Sequence, residues 1–181
     1  MVGRNSTLRN IISKIGDLTL VKSLACDIPP IAENIREDDA YECSLFSMSP
    51  YEALLEGFTE EDSRSYTLLN KGIPIGMMGV VPENKEIGRV WFLATDDVYK
   101  EYRKFLRKCP EVIDVLQGDF RVIFNYVPEE NKKTMRWLIW CGFLFDINNK
   151  YLHGSSRFMK FFRCKEEKSV KHIVMSQPIY H

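Results

Sequence analysis

The sequence predicts an α/β (α+β) domain, one mixed twisted sheet with helices on both faces. Three observations carry that expectation. Val90-Trp91-Phe92-Leu93-Ala94 is a continuous apolar run with the pattern of a strand covered on both sides. Thr95-Asp96-Asp97 follows it at once, and such short side-chain oxygens accept from the free amides of a helix start. A second β-like run, Arg121 to Val127, comes after a helical stretch, so the two strands are expected to lie parallel across a crossover.

The 181 residues contain no long Pro, Gly or Ser tract, which fits one domain able to bury its own core. Lys plus Arg number 25 and Asp plus Glu number 25, so no global field favours nucleic acid or an acidic membrane. Cys26, Cys43, Cys109, Cys141 and Cys164 are odd in number and lack C-x-x-C spacing. That argues against a disulfide framework and a zinc site and points to reduced thiols. No apolar run is long enough to span a bilayer, and the N-terminus lacks a signal-peptide core, so the chain is expected to be soluble at synthesis.

Taken in order, Ser6 is placed to cap a short amphipathic helix in which Leu8, Ile11, Ile12 and Ile15 share a face and Gly16 closes the C-terminus. So short a helix must dock on its own domain or on a partner. Leu18 to Leu24 reads as a first strand, ending in a turn at Pro29-Pro30. The stretch from Ile31 to Cys43 is helical, its Glu33, Arg36, Glu37, Asp38, Asp39 and Glu42 forming the charge-rich pattern of a solvated face. Ser49-Pro50-Tyr51-Glu52 is a helix start with N-cap, first-turn proline and capping box, continued by Leu54, Leu55 and Phe58. Tyr66 to Leu69 and Ile73 to Val81 flank Asn70-Lys71-Gly72 as a hairpin.

After the helix that starts near Asp97, Pro110 is expected to break or restart it, and Gly118-Asp119 to end it. Glu130 to Gly142 forms a helix with two apolar faces: Met135, Leu138, Ile139 and Gly142 on one, Trp137, Trp140 and Cys141 on the other. Such a helix is either fully buried or offers one side to a partner. Phe143 to Ile147 and Phe158 to Phe162 make a final hairpin across Gly154-Ser155-Ser156. Lys165 to His181 reads as an arm with an apolar cluster at Ile173, Val174 and Met175. The organisation is therefore an N-terminal extension (1–16), a central domain (17–164) and a C-terminal arm (165–181).

Several stretches resemble one family in particular. They are Ile31-Ala32-Glu33-Asn34-Ile35-Arg36-Glu37-x-Asp39, Ser49-Pro50-x-Glu52-Ala53-Leu54, Gly79-Val80-Val81, Trp91-Phe92-Leu93-Ala94-Thr95-Asp96, Asn125-x-Val127 and Met135-Arg136-Trp137-Leu138-x-Trp140-x-Gly142-Phe143. In order and spacing they are similar to the phage branch of the GNAT N-acetyltransferase fold, a family that includes internal virion protein A of short-tailed coliphages. The resemblance covers roughly Asp17 to Arg163 and implies a mixed sheet of about seven strands with helices on both faces.

Two of the family's enzymatic features do not carry over. Active GNAT enzymes cradle the coenzyme pyrophosphate on a glycine-containing loop after the central strand, where this chain has Thr95-Asp96-Asp97-Val98-Tyr99-Lys100. A carboxylate about 4 Å from a phosphate charge costs on the order of 4 kcal/mol at an effective dielectric near 20. The helix dipole returns only about 0.3 to 1 kcal/mol. Lys100, Arg103 or Lys104 would have to turn inward to compensate. The general acid of the family, a tyrosine four residues before the Gly-Phe pair, is replaced by Leu138, which cannot deliver a proton.

The resemblance thus implies a virion-associated or morphogenesis protein on a catalytically degenerate GNAT fold, made in the host cytoplasm and located in the virion. Its expected partners are other virion proteins, whether capsid, portal, tail or internal, with no nucleic acid and no membrane span. Candidate partner-binding residues are Leu8, Ile11, Ile12, Trp137, Trp140, Ile173 and Met175. The alternative is an acetyl-CoA-dependent N-acyltransferase holding its coenzyme at Leu93, Ala94, Thr95 and Asn131, with transfer resting on positioning. Asn125 either contacts a ligand where the two strands splay or ties down a backbone kink. His153, His172 and His181 lack ligand spacing, so neither a metal nor, on the first reading, a cofactor is expected.

Overall fold

The computed structural model describes residues 9–165. Its strands are β1 (Ile11–Ile15), β2 (Leu18–Lys22), β3 (Arg64–Asn70), β4 (Ile73–Pro82), β5 (Ile87–Ala94), β6 (Val122–Pro128), β7 (Leu144–His153) and β8 (Ser156–Cys164). Its helices are α1 (Ile28–Glu33), α2 (Glu37–Leu45), α3 (Pro50–Thr59), α4 (Asp97–Lys100), α5 (Tyr102–Gln117) and α6 (Lys132–Trp140). The eight strands form one sheet in the order β1-β2-β3-β4-β5-β6-β8-β7. Only β5 and β6 run parallel, across the α4–α5 crossover; every other neighbouring pair is antiparallel.

β5 divides the core because its side chains alternate. Val90, Phe92 and Ala94 face Phe105, Val112 and Leu116 of α5 and Leu138 of α6. Trp91 and Leu93 face Ile28 and Ile31 of α1 and Leu54 of α3. Trp91 requires bare backbone on both neighbours: a Cβ on Gly57 would stand 2.6 Å from its ring, and one on Gly79 2.8 Å. Glycine at these two positions is thus a packing requirement. The capping box of α3 forms as expected, with Ser49 Oγ accepting from Glu52 N at 3.2 Å and Ser49 N donating to the Glu52 carboxylate at 2.7 Å. The β3–β4 turn places Lys71 and Gly72 at φ 51° and 83°, as a tight hairpin requires.

Three expectations are corrected. Ile11–Ile15 is the edge strand of the sheet, paired with β2, where a helix was expected; Ser6 and Leu8 lie outside the described residues. The isoleucines favour a strand, and Gly16, at φ 58°, turns a hairpin instead of ending a helix. A bulge between Ile11 and Ser13 lets both Ile12 and Ile15 pack on the core while Ile11 stays exposed. Pro110 sits inside an unbroken α5, and the interruption falls at Glu101 instead, leaving α4 a single turn. Pro29 and Pro30 occupy the first turn of α1, where their missing amides cost nothing, instead of a turn.

Candidate functional site

The parallel ladder between β5 and β6 pairs Ile87 with Val122, Gly88 with Ile123 and Arg89 with Phe124, and there it stops. Beyond it the strands splay into a mouth, with the start of α4 at the end of β5 and the start of α6 at the end of β6. Asn125 stands at the fork. Its amide donates to Val90 O at 2.6 Å and its Oδ1 accepts from Tyr126 N at 2.8 Å, so it satisfies one backbone group on each diverging strand. Of the two roles expected for this residue, that geometry is the backbone tie.

The β6-facing edge of β5 higher in the mouth is engaged by the chain itself. Ala94 N donates to Asp39 Oδ2 at 2.8 Å, and Ala94 O accepts from Arg36 N at 2.9 Å. Ile35 forms an isolated antiparallel bridge with Thr95. Thr95 N turns the other way, donating to Ile75 O at 2.9 Å, while Thr95 Oγ1 accepts from Asp97 N at 3.3 Å. Leu93 packs against the α1–α3 side. Asn131 caps α6 by accepting from Thr134 N at 3.0 Å and donates to Glu42 Oε1 at 2.7 Å. Of the four residues proposed to hold a coenzyme, Ala94 and Asn131 thus border the mouth with their polar groups committed, while Leu93 and the Thr95 amide turn toward other parts of the fold.

A compact electrostatic cluster sits on the same spot. Arg36 forks onto Asp39 through Nε at 3.0 Å and Nη2 at 2.8 Å, a bidentate geometry. Its guanidinium lies 5.5 Å from the Phe92 ring centroid and 5.6 Å from that of Tyr99, and Lys133 Nζ lies 3.8 Å from Tyr99 on its own account. Burial pulls the Arg36 guanidinium down, but the adjacent Asp39 carboxylate outweighs it and holds Arg36 above its ordinary value. Burial pushes the Asp39 carboxyl up against the opposing pull of Arg36. Burial also pushes Glu42 up to about 7, against the Asn131 hydrogen bond and with help from the Asp39 and Asp38 charges. A carboxyl poised near neutrality is suited to proton transfer.

Sequence reasoning read Arg36, Asp39 and Glu42 as part of a solvated helix face. Asp39 is instead 6 % exposed, and all three close the mouth. The available signal was the Ile35-Arg36-Glu37-x-Asp39 stretch of the family resemblance; charge pattern by itself could not separate a buried pair from a surface one.

At the start of α4, Lys100 is paired with Asp97 and Lys104 with Glu101, so two of the three cations that could receive a phosphate are neutralised locally. Since α4 is one turn long, little dipole accumulates there. Leu138, in place of the family's acid, is 3 % exposed and packed in the core. An open groove of about 570 Å³ lies beside the mouth, bordered by Tyr41, Glu129, Glu130, Lys132, Ser155 and Arg157. His153 stacks on Phe46 at 4.6 Å, and among the described residues no cluster of His, Cys, Asp and Glu could hold a metal ion.

The expected partner-binding residues divide. Trp137 is half-buried: its ring packs 5.7 Å from Phe92 and 6.1 Å from Phe105, and its Nε1 lies 3.3 Å from Cys109 Sγ, so α5 and β5 of this chain cover part of it. Ile12 likewise faces the core. Trp140 is 63 % exposed and Ile11 56 %. Leu8, Ile173 and Met175 lie outside the described residues.

A family model described as "Bacteriophage T7, probable scaffold protein Gp13" matches residues 71–150, a span that runs from the β3–β4 turn into β7 and includes the splayed strands and α6. No curated protein matches the chain. The fold is GNAT-like, as solved structures show. A GCN5-related N-acetyltransferase from Kribbella flavida superposes with a TM-score of 0.59 at 16% identity, covering 82% of this chain and 98% of its own. The ribosomal-protein-S5-alanine acetyltransferase from Vibrio fischeri gives 0.61 at 14% identity, over 86% and 97%. An acetyltransferase of the GNAT family from Bacillus anthracis gives 0.62 at 10% identity, over 83% and 96%. Among the described residues no helix is long and apolar enough to cross a membrane.

Proposed function

We propose that this protein is a phage virion-associated or morphogenesis protein that uses a GNAT-like fold as a building part and binds neighbouring virion proteins. The observation that carries the reading is the engaged edge of β5. Ala94 N and O, the backbone groups an acetyl-CoA chain would need, are bonded to Asp39 and Arg36 of the same chain. A coenzyme would have to displace a buried ion pair and meet Asp96 and Asp97 without free cations from Lys100 and Lys104. The match to a phage scaffold family supports the assembly context. Internal virion protein A of short-tailed coliphages is the relative this reading favours within that context.

Exposed apolar side chains supply the contact surface. Ile139 and Trp140 on α6 and Leu144 at the start of β7 are 60 %, 63 % and 56 % exposed, and aromatic anchors of this kind dominate interface energetics. The partner is a virion protein of the capsid, portal, tail or interior. Mass spectrometry of purified particles and of assembly intermediates tests the proposal: the polypeptide is expected at fixed stoichiometry in at least one of them, and its absence from both would end the assembly reading.

Two observations favour the alternative, an acetyl-CoA-dependent N-acyltransferase: the strands do splay, and Glu42 stands at the mouth with a carboxyl near neutrality. Calorimetry separates the two. Silence with millimolar acetyl-CoA is the expected result; micromolar binding would restore the enzyme.

A further inference from the structure

The mouth between β5 and β6 is closed by one short element whose grip is mainly polar. The buried residues of α2 are only Asp39 and Cys43, so little apolar area holds it down. Its nine residues have no side-chain N-cap and no basic residue in the last turn, and a helix of that length is marginal by itself. Three polar contacts tie it to the two sides of the opening: Arg36 N to Ala94 O, Ala94 N to Asp39, and Asn131 Nδ2 to Glu42 Oε1 at 2.7 Å. The first two hold it to β5 and the third to the N-cap of α6, while Phe46 at its C-cap packs on His153 and Phe158 of the last hairpin; Glu42 and Asn131 thus make the polar tie between the two ends of the span.

The surroundings of Glu42 make that third contact sensitive to charge. Its carboxyl is set among Asp38 and Asp39 of its own helix, Arg36 of the preceding segment and the Asn131 amide of α6. Arg36 is committed to Asp39, and Lys133, in the first turn of α6, is turned onto the Tyr99 ring. An ionised Glu42 in the closed arrangement therefore adds a buried charge beside two carboxylates, with one neutral amide to receive it.

We propose that α2 is a strap across the β5–β6 mouth, held shut while Glu42 is protonated and loosened when Glu42 ionises, baring the Ala94 edge of β5. The inference rests on the geometry of the mouth and stands whether or not a coenzyme binds there. Its sign follows from linkage. Burial places the closed-state carboxyl at about 7, whereas a strap freed into water returns it to the ordinary range of a glutamate. The closed state then binds the proton more tightly, and closure weakens as pH rises toward and through neutrality.

The Ala94 amide reports the strap directly, because its partner is the Asp39 carboxylate. Hydrogen exchange of Ala94, corrected for intrinsic rate, is expected to lose more than about tenfold in protection between about pH 5 and about pH 8 in the wild type. Glu42→Gln keeps an acceptor for Asn131 and removes the ionisation, so its profile should lack the step. A wild type without the step, or a variant that retains it, would overturn the proposal. Titration of the Glu42 side-chain carbon by NMR tests the same point without any substitution: a midpoint in the ordinary carboxylate range would also overturn it.

Discussion

Asn125 shows how one side chain fixes a fork in a sheet. Where β5 and β6 part, Val90 O and Tyr126 N lose their ladder partners, and a single carboxamide supplies a donor to one and an acceptor to the other. Asn125→Leu keeps the volume and removes both bonds, so stability should fall by about 2 to 3 kcal/mol in urea unfolding. Leu138 makes the opposite case, a residue whose identity is set by packing. Leu138→Tyr forces a hydroxyl and extra volume into a filled core between α6 and α5, and the expected outcome is a loss of about 1 to 3 kcal/mol with no gain of acetyl transfer. The sequence singled out both residues. It left the role of Asn125 open, because its amide could serve a ligand as well as a backbone; the structure sets that amide on Val90 O and its Oδ1 on Tyr126 N.

Among the elements, the contrast between α3 and α2 is instructive. The boundaries of α3 follow from local chemistry, since Ser49, Pro50 and Glu52 satisfy their own helix start with groups three residues apart. Ser49→Ala should therefore lower stability by about 1 kcal/mol, read as a shift of the thermal midpoint. For α2 the sequence offered only a charged pattern, and its position depends on Ala94 and Asn131, which lie far along the chain. Asp39→Ala leaves Arg36 buried without its partner and Ala94 N without its acceptor, and about 3 to 5 kcal/mol is expected from equilibrium unfolding. The first segment shows the same limit. A helical spacing of isoleucines over Ile11, Ile12 and Ile15 is also compatible with a bulged strand, and the free edge of β2 decided in favour of the strand.

For the whole molecule, splayed parallel strands, a mouth and helices on both faces are the frame of an acetyltransferase, yet the frame closes on itself. A ligand that binds the folded state stabilises it by RT ln(1 + [L]/Kd) and so raises the thermal midpoint as its concentration exceeds Kd. An excess of acetyl-CoA is therefore expected to leave the midpoint unchanged, and a rise of several degrees would contradict the assembly reading. The amino-acid order by itself determined the sheet-and-helix alternation, the two central strands, the capped α3, and the acidic helix start without glycine, because each is written in periodicity or in contacts a few residues long. Only the tertiary structure decided that Trp137 packs against the core while Trp140 stays exposed, that β1 joins the sheet, and that Arg36 and Asp39 seal the edge of β5. Those outcomes depend on which distant segment arrives at a face or an unpaired strand edge, and one-dimensional spacing does not encode that arrival.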